Sequence, residues 1–172
     1  MNQFRSILPM LAAGVLIASG CDTGTGLAPL NEPSGFSGVI SFKNWPPPDS
    51  VQELRVVAFE SYPTDSSGIL VALLSGRAVV YPQIGQKGLR QYLDTLHYEF
   101  TDKGTNLQAK LYGYVAVAWK YGSNIFVDWR PAGVYTTTPG TFQYAPVRVL
   151  THRITPDINI DVDFHNPPPR PW

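Results

Sequence analysis

The sequence predicts an all-β protein, a seven-stranded antiparallel β-sandwich. Three observations predict it. Short runs of β-branched and aromatic residues recur along the chain, Gly and Pro clusters separate them, and 12% of the residues are aromatic. The 16 prolines among 172 residues are nearly twice the usual share of about 5%. Charged residues make up 15%, against about 25% in an ordinary soluble domain. Lys+Arg and Asp+Glu are both 13, so no overall basic field exists to hold nucleic acid. A single cysteine excludes an internal disulfide framework and a multi-cysteine zinc site.

Residues 1–20 have the parts of a secretory leader. Arg5 is the one early charge, an apolar run follows from Ile7 to Ile17, and Ala18-Ser19-Gly20 precede Cys21. The stretch from Ile7 to Gly20 is too short for the roughly 20 residues of a spanning helix, and Pro9 interrupts it. Ile17-Ala18-Ser19-Gly20-Cys21 resembles the lipobox of bacterial lipoproteins, with Ala18 where an aliphatic residue is usual. That resemblance implies cleavage before Cys21, acylation of its thiol, and localisation in the bacterial cell envelope on the outer membrane or a periplasmic face. Acyl chains at about 0.8 kcal/mol per buried CH₂ suffice for stable attachment once two or more are present. Residues 21–35 then read as lipidated Cys21 plus a Gly-, Pro- and Thr-rich tether with a typical reach of about 20 Å.

The expected sandwich occupies residues 36–165. Its first strand, Gly38–Trp45, stops at Pro46-Pro47-Pro48, which cannot continue a ladder. Strands follow over Glu53–Tyr62, Leu96–Thr101, Leu111–Tyr121, Gly133–Thr138, Ala145–Thr151 and Asp157–Phe164. Leu111–Tyr121 is apolar on both alternating faces, as a central strand is. Asp157–Phe164 alternates cleanly, with Ile158, Ile160, Val162 and Phe164 inward. The insert over residues 65–95 is ambiguous: Ile69–Leu74 could be strand or helix, Leu89, Tyr92, Leu93 and Leu96 have the i, i+3, i+4, i+7 spacing of a helix, and there is room for one short helix. Residues 166–172 read as a proline-rich tail.

Gly38-Val-Ile-Ser-Phe, Leu54-Arg-Val-Val-Ala-Phe, Tyr114-Val-Ala-Val-Ala-Trp and Pro146-Val-Arg-Val with Ile160-Asp-Val-Asp-Phe together resemble transthyretin-like, or carboxypeptidase regulatory-like (prealbumin-like), sandwich domains. The resemblance covers Gly38 to Phe164 and implies a fold more than an activity.

No catalytic set converges by spacing. Gly35-Phe36-Ser37-Gly38 lacks the second glycine spacing of a nucleophile elbow. Gly24-Thr25-Gly26 lies in the tether, with no strand before it and no helix after it. Asp161, Asp163 and His165 share one strand face, but neighbours two apart on a strand stand about 6.8 Å from each other, too far to grip one ion without bending. No metal, cofactor or enzymatic activity is expected. The aromatics beside loops, Trp45, Tyr62, Tyr121 and Trp129, are the candidate binding residues. The sequence thus predicts a membrane-anchored, non-catalytic module that binds or scaffolds an envelope protein, or alternatively a carbohydrate-binding module using those rings.

Overall fold

The computed structural model describes residues 32–124 and 127–171. The leader, Cys21 and most of the tether lie outside the described residues, so the reading of Cys21 stands on the sequence.

The described chain is mostly β, as expected. Ten strands and one helix follow in order: β1 (Gly35–Lys43), β2 (Glu53–Phe59), α1 (Ser66–Leu74), β3 (Ala78–Tyr81), β4 (Thr95–Thr101), β5 (Leu111–Tyr112), β6 (Tyr114–Lys120), β7 (Trp129–Val134), β8 (Val147–Arg148), β9 (Ile154–Thr155) and β10 (Ile160–Asp163). One sheet has the order β10-β1-β4, with β9 also paired to β1, and the other has the order β3-β2-β6-β7. The pair β5-β8 stands apart.

Besides β7, which runs Trp129–Val134 where a strand over Gly133–Thr138 is expected, two features differ from the expected seven antiparallel strands. The predicted strand over Leu111–Tyr121 divides at Gly113. There the amide donates to the Glu60 carbonyl, and an added Cβ would lie 2.8 Å from that oxygen. The chain therefore changes partners, β5 going to β8 and β6 to β2 and β7. The predicted strand over Ala145–Thr151 pairs only at Val147–Arg148, because proline at 146 has no N–H to give. The second difference is direction. β10 and β9 run parallel to β1, since the chain returns by long connections to lie beside its own first strand. The insert supplies one short helix and the edge strand β3.

Alternation in β2 and β6 explains the layering. Leu54, Val56 and Ala58 with Val115, Val117 and Trp119 face the first sheet. They pack there with Phe36, Ile40, Phe100, Ile160 and Val162 into the main core. The opposite face of the same two strands carries Phe59, Tyr114 and Ala116, and α1 lies on it through Ile69, Ala72 and Leu73. Among the described residues, both clusters are built from residues 36–164.

The last strand is held close by a missing side chain. Ile158 donates its amide to the Ser37 carbonyl, and the Asn159 side chain accepts from the Val39 amide at 2.8 Å. A Cβ on Gly38 would lie 2.2 Å from the Ile158 carbonyl oxygen, so only glycine admits this approach. Tyr98 donates its hydroxyl to the same Ile158 oxygen at 2.6 Å.

Burial pushes the phenols of Tyr98 and Tyr114 well above their usual value of 10.0. Above that value the unfolded chain releases these protons while the folded chain keeps them. Stability is therefore whole below about pH 10 and falls as pH rises further, by about 1.4 kcal/mol per pH unit for each tyrosine. Denaturant melts at pH 9 and pH 11 should show this loss, and a Tyr98→Phe, Tyr114→Phe chain should show less of it. An unchanged midpoint across that range would contradict the burial of both hydroxyls.

Candidate functional site

A groove of about 570 Å³ lies on the outer face of β2 and β6. It exists because α1 covers only one end of that face. Val57, Ala116 and Ala118 form part of the floor, and the two alanines keep it low. Ile69, Leu70 and Leu73 of α1 close one end. Ile84 flanks the β3 side, and Val127, Trp129 and Pro131 flank the β7 side.

The position of α1 follows from its ends. Asp65 caps the N-terminus, its carboxylate accepting from the Gly68 amide at 2.6 Å and from the Ser67 hydroxyl at 2.5 Å. Those donors hold the Asp65 carboxyl below its usual value. Gly76, with φ of 73°, lies just past the C-terminus in the left-handed region that ends helices. Lys110 donates to the Gly76 carbonyl at 3.2 Å and pairs with Glu60 at 2.5 Å, fixing this end against the sheet. The helix, Ser-Ser-Gly-Ile-Leu-Val-Ala-Leu-Leu, contains no charge. Ile69, Ala72 and Leu73 face the sheet, whereas Leu70, Val71 and Leu74 are exposed, Leu74 to 81%. An amphipathic surface helix would present polar residues there.

The β3-side wall depends on Arg55. This arginine is only 4% exposed although it sits on the outer face of its sheet. Its guanidinium donates to the carbonyls of Pro82, Gln83 and Gln86 and pairs with Glu53. The planar fork thus binds residues 82–86 to β2 and holds Ile84, itself 65% exposed, at the rim.

The sequence-predicted aromatics do not form one platform. Trp45 is packed among Phe42, Tyr92 and Phe164, with ring centroids 4.5–4.8 Å away, and its indole donates to the Leu93 carbonyl at 2.9 Å. Tyr121 stands edge-on to Trp119 and beneath the Arg170 guanidinium, which donates to its hydroxyl at 2.6 Å. The proline-rich tail therefore folds back on the sandwich. Tyr62 is at the other end of β2, stacked on Tyr144 at 4.9 Å and edge-on to Tyr114. Trp129 opens β7 and lines the groove. Among the described residues, no three His, Cys, Asp or Glu side chains converge as a metal would require. The Asp163 carboxylate instead accepts from the Asn44 side chain and the His165 amide, which hold it below its usual value.

Sequence reasoning missed Arg55, Ala116, Ala118 and Ile84. Two signals were available: a lone charge inside Leu54-Arg-Val-Val-Ala-Phe, and a charge-free apolar run in a surface insert. No protein family matches the chain, and neither a curated protein nor a solved structure is significantly similar to it. Among the described residues, no helix is long and apolar enough to cross a membrane.

Proposed function

We propose that this chain is a lipoprotein of the bacterial cell envelope, held at the membrane through acylated Cys21. Its transthyretin-like sandwich acts as a non-catalytic binding module. The groove over β2 and β6 is its binding site. The groove itself carries this reading: its floor is apolar and open, and the Glu53–Arg55 pair at its edge holds a wall. Such concave, mainly apolar surfaces with few polar groups are the usual form of ligand sites.

An envelope protein partner is the second reading, and α1 favours it. Leu70, Val71 and Leu74 present large apolar side chains on one short, charge-free helix. The glycan reading has less support, because Trp45 and Tyr121 are engaged by neighbours and Tyr62 stacks at the opposite end.

Mass spectrometry of the chain extracted from membranes tests the anchor. The expected N-terminal fragment begins at Cys21 and carries the mass of its acyl groups. An unmodified thiol on a chain starting elsewhere would remove the anchor from the proposal.

A further inference from the structure

Among the described residues the sandwich has one open side. On the other side β7 lies against β10, where Tyr135 bridges Ile160. On the open side β3 ends one sheet and β4 ends the other. β3 is four residues long and is followed by Pro82, two of the ways in which proteins blunt an edge. β4 has neither. It runs for seven residues, Thr-Leu-His-Tyr-Glu-Phe-Thr, with no proline, no lysine and no shift in its pairing with β1.

The ladder fixes which backbone groups face out. At one end Phe42 donates its amide to the Asp94 carbonyl, and at the other Asp102 donates to the Ser34 carbonyl. Hydrogen-bonded pairs alternate along an antiparallel ladder, so between these ends Leu96, Tyr98 and Phe100 bond to β1. The amides and carbonyls of Thr95, His97 and Glu99 therefore point away from the sheet. At Thr101 the outward carbonyl is taken by the Thr105 hydroxyl.

The side chains make this edge complementary to itself. Leu96, Tyr98 and Phe100 belong to the core side, whereas Thr95, His97 and Glu99 are exposed. Val39 and Ser37 of β1 stand opposite His97 and Glu99, so β1 supplies no counter-charge. Among the described residues the ion pairs are Glu53–Arg55 and Lys110–Glu60, neither of them at this edge.

We propose that β4 is the surface on which two copies of this chain pair, antiparallel about a two-fold axis at Tyr98. That register sets His97 of each copy opposite Glu99 of the other, both as hydrogen-bonded pairs. Registers centred one residue to either side set His97 on His97 or Glu99 on Glu99. Charge thus selects one alignment, and the patch is self-complementary as a two-fold interface requires. Half-buried Leu96 gains Phe100 of the second copy as its cross-strand neighbour. Asp94 meets Asp102 at each end, outside the strands and next to Lys103 in the chain. The inference goes beyond the proposed function and depends on neither the groove nor the anchor.

Sedimentation of the full chain, with Cys21→Ala to dispense with detergent, tests the pairing. Concentrations from about 10 μM to about 1 mM suit an interface at the small, weak end of the range. A concentration-dependent dimer is expected. His97→Glu and Glu99→Lys should each weaken it at least about tenfold, because each sets two like-charged pairs face to face. An equimolar mixture of the two variants should dimerise about as well as the parent, since each supplies the charge that the other lacks. His97→Pro should give a monomer: the outward amide is lost while the ladder to β1 keeps its bonds. Near-UV circular dichroism checks that each variant is folded, and should His97→Pro fail to fold, the mixture decides. A chain that stays monomeric at every concentration would overturn the proposal and leave the edge to a strand of another protein. A mixture that dimerises no better than the single variants, or a dimer that persists in folded His97→Pro, would also overturn it.

Discussion

Replacing Arg55 with methionine should cost the fold about 3–5 kcal/mol, the range for stranding the partners of a buried charge. Methionine fills much of the same space but donates nothing. The carbonyls of Pro82, Gln83 and Gln86 then lose the guanidinium that serves all three, and the half-buried Glu53 carboxylate loses its counter-charge. For a chain of this length, at about 2–4 °C per kcal/mol, thermal unfolding should begin roughly 10 °C earlier. The loss should be local first: residues 82–86 are expected to show faster amide exchange and protease nicking, and any groove ligand should weaken. Arg55→Lys should fall between, since an ammonium keeps the charge and loses the planar fork. If Arg55→Met unfolds within 1 kcal/mol of the parent, the wall is held by something else.

Cys21→Ala should move the protein from the membrane to the soluble fraction and abolish labelling by radioactive palmitate. The expected effect is near-complete, because nothing else proposed here supplies comparable attachment. Acyl chains contribute about 0.8 kcal/mol per buried CH₂. The exposed side chains of α1 offer only Leu70, Val71 and Leu74 to a bilayer. The variant should keep its thermal midpoint, since the core is formed from residues 36–164. Persistent labelling in Cys21→Ala would place the lipid elsewhere, and persistent membrane binding without label would point to α1 or to a protein partner.

Much of the sandwich was legible because period-two alternation is written into contiguous residues. β1, β2, β4 and β6 fall inside or within a few residues of the expected strands, and β10 lies inside Asp157–Phe164. Pairing was not legible. Nothing local to Ile40 announces Ile160 as its parallel neighbour, and nothing near Leu111 announces Arg148. The division at Gly113 arises from the approach of Glu60, fifty-three residues earlier.

The candidate site was hidden for the same reason. Its floor is the second face of β2 and β6, and the sequence reading took both faces of Leu111–Tyr121 as buried. How far Val57 and Ala118 are exposed depends on how much of that face α1 covers, which no spacing encodes. Aromatic residues beside loops were visible, but their availability was not. Trp45 is engaged by a carbonyl forty-eight residues away, while Trp129 lines the groove. The one short helix allowed in the insert is α1, between Asp65 and Gly76, whereas the helically spaced Leu89, Tyr92, Leu93 and Leu96 lie in a loop and in β4.

The first strand has a mechanical meaning. β1 is gripped on both long edges, by β4 across seven residue pairs and by β10 and β9 across six more. It is also the first strand after the proposed anchor and tether. If that anchor holds, a pull directed along β1 would have to shear both ladders at once instead of peeling them bond by bond. The point where the domain takes load is a clamp, and traction between envelope and partner would be borne there before it reached the groove.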